Sequence, residues 1–235
     1  MQEKICKWTF WAGALAVFLA LSSCATPPSP VAPPPAVQSD PEFPFNEFLQ
    51  AEAAGQPLLR IAPELSLVTI TVRRGGPLAR MGHDHVVASR HVEGFAAPGW
   101  QRGALRFRLD QLTVDEPALR SEAGLQTQPS ADAVDGTRRN MLARVLDAER
   151  FPWLLVRAEL APGAAGLLRA DITLHGVTRQ YLVPATITQH ADRLDASGAF
   201  TLKQSDFGIT PFAVFGGALA VQDELELRFA ISARR

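Results

Sequence analysis

The chain is poor in cysteine. Only Cys6 and Cys24 occur in its 235 residues, both near the start, so the rest can form no internal disulfide. An exported domain built from it must hold together by its own core, for which about 180 residues suffice. An excess of either charge is lacking too. Lys and Arg total 23 against 24 Asp and Glu, a formal net charge of −1, and no basic stripe or cluster marks a nucleic-acid binder. There is no P-loop, no G-x-G-x-x-G and no C-x-x-C. A G-x-S-x-G elbow and a convincing Ser-His-Asp grouping are equally missing, so no positive residue evidence points to an enzyme. The one long apolar run, residues 8–21, falls short of the ~20 residues that span a bilayer comfortably.

That run has a short basic lead, Lys4 and Lys7, and ends in Leu21-Ser22-Ser23-Cys24. The ending resembles a bacterial lipobox, which implies a signal peptide over residues 1–23 and acylation of Cys24 after cleavage. Ordinary cleavage near Ala25 and an uncleaved membrane helix are the alternatives. Several acyl chains, at about 0.8 kcal/mol per buried CH₂, give stable anchoring where one would be marginal. Ala25 in place of aspartate after the cysteine favours the outer membrane, facing the periplasm. Loss of Glu3, Lys4 and Lys7 takes the net charge to about −2. Residues 24–56 then read as a Pro-rich tether: eight prolines between Pro27 and Pro44 favour extended, semi-rigid chain that reaches up to ~60 Å over twenty residues. A short helix over residues 45–54, with Phe45, Phe48 and Leu49 on one side, is expected at its end.

From residue 57 onward the dominant signal is alternation. Leu225, Leu227, Phe229 and Ile231 share one face of a strand, and Glu226, Arg228 and Ser232 the other. Leu105, Phe107 and Leu109 alternate with Arg106 and Arg108. Leu154, Val156, Ala158 and Leu160 do so with Leu155, Arg157 and Glu159, and similar patterns run through residues 68–72 and 168–174. Such strands bury one face and wet the other, as antiparallel sheet does. Gly75-Gly76-Pro77, Pro162-Gly163, His175-Gly176 and Gly216-Gly217 punctuate them. One helix is expected, opened by Asp135-Gly136-Thr137 and running over residues 138–149, with Met141, Leu142, Val145 and Leu146 at helical spacing. The class is all-β with one short helix; alternation alone leaves sandwich and barrel open.

Two phrases in the last third narrow the choice: Leu174-His175-Gly176-Val177-Thr178-Arg179, and Gly198-Ala199-Phe200-Thr201-Leu202-Lys203-Gln204-Ser205-Asp206-Phe207-Gly208-Ile209. With Arg150-Phe151-Pro152 ahead of an alternating strand, they resemble the signature of the YceI-like family of lipid- or polyisoprenoid-binding proteins, over roughly residues 57–235. The resemblance implies an antiparallel, lipocalin-like β-barrel of about eight strands that carries or sequesters a long apolar ligand (an isoprenoid, quinone or fatty amide). No other cofactor is expected, and the missing basic patch leaves no nucleic-acid partner to expect. Phe107 and Phe207 become candidate cavity-lining residues. Ser205 and Asp206 either build a turn closed by Gly208 or meet the polar end of the ligand. A barrel of this size is also fully compatible with an interior filled by side chains.

A second constellation is Gly82-His83-Asp84-His85, whose G-H-x-H form resembles a subset of exported proteobacterial family members. On a strand, His83 and His85 leave the same face, a spacing that suits one metal ion at ~2.0–2.1 Å from each nitrogen. A third ligand has to come from elsewhere, such as His175, His190 or a carboxylate. The competing reading makes the two histidines structural or ligand head-group contacts. Asp84 points to the opposite face, so it cannot orient His83 unless the chain turns there. The alternative function is therefore a periplasmic metal-binding or redox-associated module using His83 and His85.

Overall fold

A computed structural model describes residues 43–235. The expected signal peptide, Cys24 and most of the Pro-rich stretch lie outside the described residues. Alternation carries the described chain into one antiparallel sheet of twelve strands. These are β1 (Leu59–Ile61), β2 (Leu67–Gly75), β3 (His85–Ser89), β4 (Glu93–Ala97), β5 (Arg102–Arg108), β6 (Thr113–Val114), β7 (Trp153–Leu160), β8 (Leu167–Leu174), β9 (Val177–Gln189), β10 (Arg193–Lys203), β11 (Ala213–Val214) and β12 (Leu219–Arg234). The sheet closes on itself through β1-β4-β5-β7-β8-β9-β10-β12 and back to β1, the expected eight-stranded antiparallel barrel.

Three walls of the barrel are broken strands. β12 pairs along one edge with β1 through Ala233 and Arg234, and with β2 from Ala220 to Ala230. β1 and β2 are thus two halves of one wall, separated by a single turn at Pro63–Leu65. β3 with β4, and β5 with β6, divide in the same way. Breaking a wall frees backbone groups that must find partners. At the β1–β2 break, Ser66 Oγ donates to Ala62 O at 2.8 Å and accepts from Ser232 N–H at 3.1 Å.

The predicted parity holds along most of β12: Leu225, Leu227, Phe229 and Ile231 face inward, whereas Glu226 and Arg228 are exposed. Ser232, expected on the wet face, is instead buried where Ser66 covers it at the β1–β2 break. Gly198, opposite Phe229 in the register, is required by close approach: a Cβ there would lie 2.2 Å from Pro184 O and 2.8 Å from the Phe229 ring. β8 turns into β9 through His175 and Gly176, both at positive φ (52° and 75°), the two-residue turn that matches strand twist.

Helix content differs from expectation. Among the described residues there are three α-helices: α1 (Phe45–Ala53), α2 (Pro117–Glu122) and α3 (Ala131–Asn140). α1 closely follows the expected helix but faces differently, burying Phe48 and Ala51 and leaving Leu49 42% exposed. Phe43, Phe45 and Phe48 pack with Phe95, Leu58, Ala97, Ala104 and Leu155 on the outside of the barrel. The folded structure therefore reaches back into the stretch read as tether. Leu155, on the polar side of its strand by alternation, is covered by this outer layer. α2 was not expected; six residues are too few to show helical periodicity, and Pro117 at its first turn is the main signal. α3 starts seven residues before the expected helix, because Ser130 Oγ accepts from Ala133 N–H at 3.3 Å and caps it. Gly136 is simply carried inside it. The helix runs on through a π-helical turn, Met141–Val145, and Asp147 ends the segment at a φ of 45°. Among the described residues no helix is long and apolar enough to cross a membrane.

Candidate binding site at the α3 end of the barrel

The His175-Gly176 turn, the turn that follows Lys203 and the Gly82–His85 stretch lie at one end of the barrel. The register runs Lys203↔Glu224, Leu225↔Val72 and Val72↔His85, so the end of β10 and the start of β3 stand at one level. The His175-Gly176 turn joins β8 to β9 at that same end. α3 and its π-helical turn lie here too, with Val134, Met141, Leu142, Val145 and Leu146 packed on the interior cluster.

The interior is divided. Phe207 is 0% and Phe107 2% exposed, so protein atoms cover both rings; they belong to a packed layer with Leu109, Ile172, Val183, Leu202 and Ile209. The two residues expected to line an open space are thus walled in. Other inward residues are only half-buried: Ile70, Val72, Leu154, Val156, Leu168, Tyr181, Phe200, Leu225, Phe229 and Ile231 pack against that cluster but retain accessible surface. The inward face therefore mixes fully covered apolar residues with partly accessible ones.

Ser205 and Asp206 sit in a one-turn helix, Gln204–Phe207, closed by Gly208 at a φ of 70°. Ser205 Oγ donates to Asp223 Oδ2 at 2.5 Å, and its N–H to Asp223 Oδ1 at 2.8 Å. Asp206 Oδ2 accepts from the Tyr181 hydroxyl at 3.0 Å. Burial, helped by that carboxylate, pushes the Tyr181 phenol up to about 12. Both polar side chains therefore have partners within the turn and its neighbours, the first of the two roles the sequence left open.

The histidine phrase yields a pairing that sequence reasoning missed. His85 Nδ1 lies 2.6 Å from Asp115 Oδ2, and Asp115 Oδ1 accepts from Val86 N–H at 3.0 Å and from Arg120 Nη1 at 2.5 Å. Asp115 and Arg120 side chains are 0% and 1% exposed. Arg120 also donates to Asp84 O at 2.8 Å and to Thr127 O, tying the loop before α3 to the start of β3. Burial acts to raise the Asp115 pKa. The hydrogen bonds from His85, Val86 and Arg120 outweigh it, and the net shift is downward. Nothing in the spacing announces this group, since thirty residues separate His85 from Asp115. Asp84 is engaged elsewhere, accepting from Arg74 N–H at 2.9 Å and lying 3.5 Å from Arg73 Nη1, as its opposite parity requires.

His85 Nε2 lies 3.5 Å from Thr137 Oγ1. Asp115, His85 and Thr137 stand in the order of a base and its hydroxyl. Thr137, however, sits inside α3, where helical hydrogen bonding consumes the neighbouring backbone N–H groups that would otherwise serve as oxyanion donors. As for a metal, His83 is exposed and its ring centroid is 6.3 Å from that of His85. His175 packs on Phe151 and His190 lies beside Arg193 and Asp195. Among the described residues no three His, Cys, Asp or Glu side chains converge on one point.

Two recesses on the outer surface are charged and differ in character from the interior. One, of about 190 Å³, is lined by Glu47, Arg102, Arg157, Glu159, Arg169 and Asp171 beside α1. The other, of about 550 Å³, lies by Glu52, Arg60 and Arg235.

The sequence profile of the YceI-like domain matches residues 80–233, well over half of the chain. The chain belongs to the YceI-like family. No curated protein matches it in sequence. Among solved structures it is similar to a polyisoprenoid binding domain from Saccharophagus degradans implicated in plant cell wall breakdown. That match has 9% identity and a TM-score of 0.52, over 76% of this chain and 98% of that one. BcnA of Burkholderia cenocepacia is 13% identical with a TM-score of 0.49, over 73% of this chain and 98% of its own. A Campylobacter jejuni YceI protein is 12% identical with a TM-score of 0.39, over 57% and 72%. At 9% identity the likeness to the Saccharophagus domain speaks for the fold alone. The YceI-like match spans His83, His85, Asp115, Arg120 and Thr137 as well as the Gln204–Phe207 turn.

Proposed function

We propose that this YceI-like protein is a lipid-anchored envelope protein, held at the membrane by acylated Cys24, that binds and carries or sequesters a long apolar molecule in its barrel. It acts as a binder and not as an enzyme. The observation that supports this is the half-buried inward face: a closed barrel that leaves Phe200, Phe229, Leu225 and Tyr181 partly accessible has apolar surface for a ligand to cover. Covering about 300 Å² of such surface contributes roughly 7 kcal/mol before the costs of ordering. Among isoprenoids, quinones and fatty amides, likeness to the polyisoprenoid binding domain of Saccharophagus favours an isoprenoid.

Organic extraction of the purified protein followed by mass spectrometry tests the reading, with added geranylgeraniol as a second arm. A co-purifying apolar molecule, or a rise in melting temperature on addition, supports it. Absence of both removes it. The anchor is tested separately: Cys24→Ser should abolish acylation and leave the precursor uncleaved or release a soluble product. Detergent-resistant membrane attachment of that variant would point to an uncleaved helix.

A further inference from the structure

We propose that His85 is a fixed hydrogen-bond acceptor at the mouth of the barrel and that, with Thr137, it selects apolar ligands ending in a hydroxyl, such as long-chain alcohols and quinols. This rests on the barrel-ligand reading above and assigns the polar end of that ligand.

Placement is the first argument. His85 has the parity of Val87, which is buried in the interior cluster, so its ring leaves β3 on the inward side. Thr137 falls between Val134 and Met141, three residues after one and four before the other, both packed on the same cluster. It therefore lies on the stripe of α3 that faces the interior. The two polar tips meet where an otherwise apolar surface reaches the end of the barrel.

The second argument is the proton on the ring. An ionised carboxylate only accepts, and Asp115 is held in that form by Arg120 and Val86 N–H on Oδ1. Its other oxygen, 2.6 Å from His85 Nδ1, places the hydrogen on Nδ1. In the neutral ring Nε2 is then a bare lone pair. A fully buried guanidinium meets the Asp115 charge, and the second carboxylate oxygen holds the ring in place. Asp115 itself adopts a φ of 58°, a left-handed conformation that Asp tolerates.

The third argument is the unused capacity. At 3.5 Å, Thr137 Oγ1 is at the outer limit of a hydrogen bond to Nε2, against a usual distance near 2.8 Å for a hydroxyl donor. A ligand hydroxyl seated beside both groups donates to Nε2 and accepts from Thr137, giving each a full-strength partner. An ether oxygen has no hydrogen to give, and a hydrocarbon offers neither function.

The test uses the full chain in detergent at pH 8, with geranylgeraniol, geranylgeranyl methyl ether and geranylgeranyl phosphate as probes. One hydrogen bond of ordinary net strength predicts that the alcohol binds about 3–10-fold tighter than the ether. In His85→Leu this preference should vanish with ether affinity unchanged, and Thr137→Val should reduce it. Should His85→Leu not fold, the wild-type alcohol-to-ether ratio and Thr137→Val decide the matter. Equal binding of alcohol and ether by the wild type overturns the assignment. So does a preference undiminished by the variants, or a phosphate that binds tightest. If none of the three probes binds, the barrel-ligand reading itself has failed, a result distinguishable from all of these.

Discussion

The packed and accessible layers of the interior make opposite predictions for two phenylalanines that share a neighbour. Phe207 and Phe200 both lie against Tyr181, with ring centroids 6.2 and 6.0 Å away. Phe207 is fully enclosed, whereas Phe200 is half-buried. Truncating an enclosed ring removes its transfer free energy and leaves a cavity, so Phe207→Ala should cost about 3–5 kcal/mol. Phe200→Ala removes a ring already partly wet and leaves no sealed void; about 1–2 kcal/mol is expected from the area lost. Urea unfolding followed by circular dichroism gives both values, with unchanged m as the check that the unfolded states match. Ligand response should invert the order. Phe200→Ala should lose most of the melting-temperature rise given by geranylgeraniol, and Phe207→Ala, if folded, should keep most of it. Equal losses of 3 kcal/mol or more would refute the reasoning. The interior would then be solid, and function would move to the rim around His83 and His85.

Other consequences follow from the same geometry. Tyr181 is the only tyrosine of the chain, so absorbance titration should show one phenol with a midpoint of about 12, and near the ordinary ~10 once unfolded. Keeping that phenol neutral stabilises the fold fully below the unfolded value and progressively less as pH rises toward the folded one; Asp206→Asn should lower the folded midpoint only in part, since burial is the larger cause. Asp115, whose pKa is lowered, contributes stability above the usual carboxylate range near ~4 that is lost as pH falls through its folded value. Asp115→Asn should therefore be markedly less stable than the native protein at pH 7, with the gap closing in acid. Phe229→Asp, on the inward face, should cost several kcal/mol, and Arg228→Asp, beside it and exposed, should stay within about 0.5 kcal/mol; similar losses in both would mean the strand is covered on its two faces.

Strand parity was legible in the sequence because period-2 alternation is a local signal: the inward set on β12 is readable from residues 225–231 alone. Closure was not local. It needs Ala233 and Arg234 to reach β1, more than 170 residues away by number, and no pattern within a strand distinguishes that from a sandwich. The family resemblance supplied it. The outer aromatic layer was misread for a related reason. Alternation assigns Leu155 to solvent unless something covers it, and the covering residues, Phe43, Phe45 and Phe48, lie in a different segment. The start of α3 was missed because Gly136 and a run of polar residues hide a helix whose stability comes from the Ser130 cap and from packing on the barrel.

The His85 site shows where a sequence pattern points to the right place for the wrong partnership. Two histidines at a spacing of two suggest one shared ligand, and the eye goes to His83. The structure instead splits them: His83 stays exposed, and His85 turns inward to Asp115. What fixes that choice is a buried charge pair. An uncompensated carboxylate inside the protein is costly, and Arg120 is the group that compensates it. Arg120 can do so only because α2 places it there, and α2 is a six-residue helix with almost no sequence signature. The same guanidinium holds Asp84 O and Thr127 O, so it sets both the start of β3 and the path of the loop that leads into α3. The orientation of the imidazole and the position of Thr137 opposite it are thus consequences of one buried arginine. A change at Arg120 should disturb ligand selection at His85 through geometry alone, by way of Asp115 and the Asp84 carbonyl.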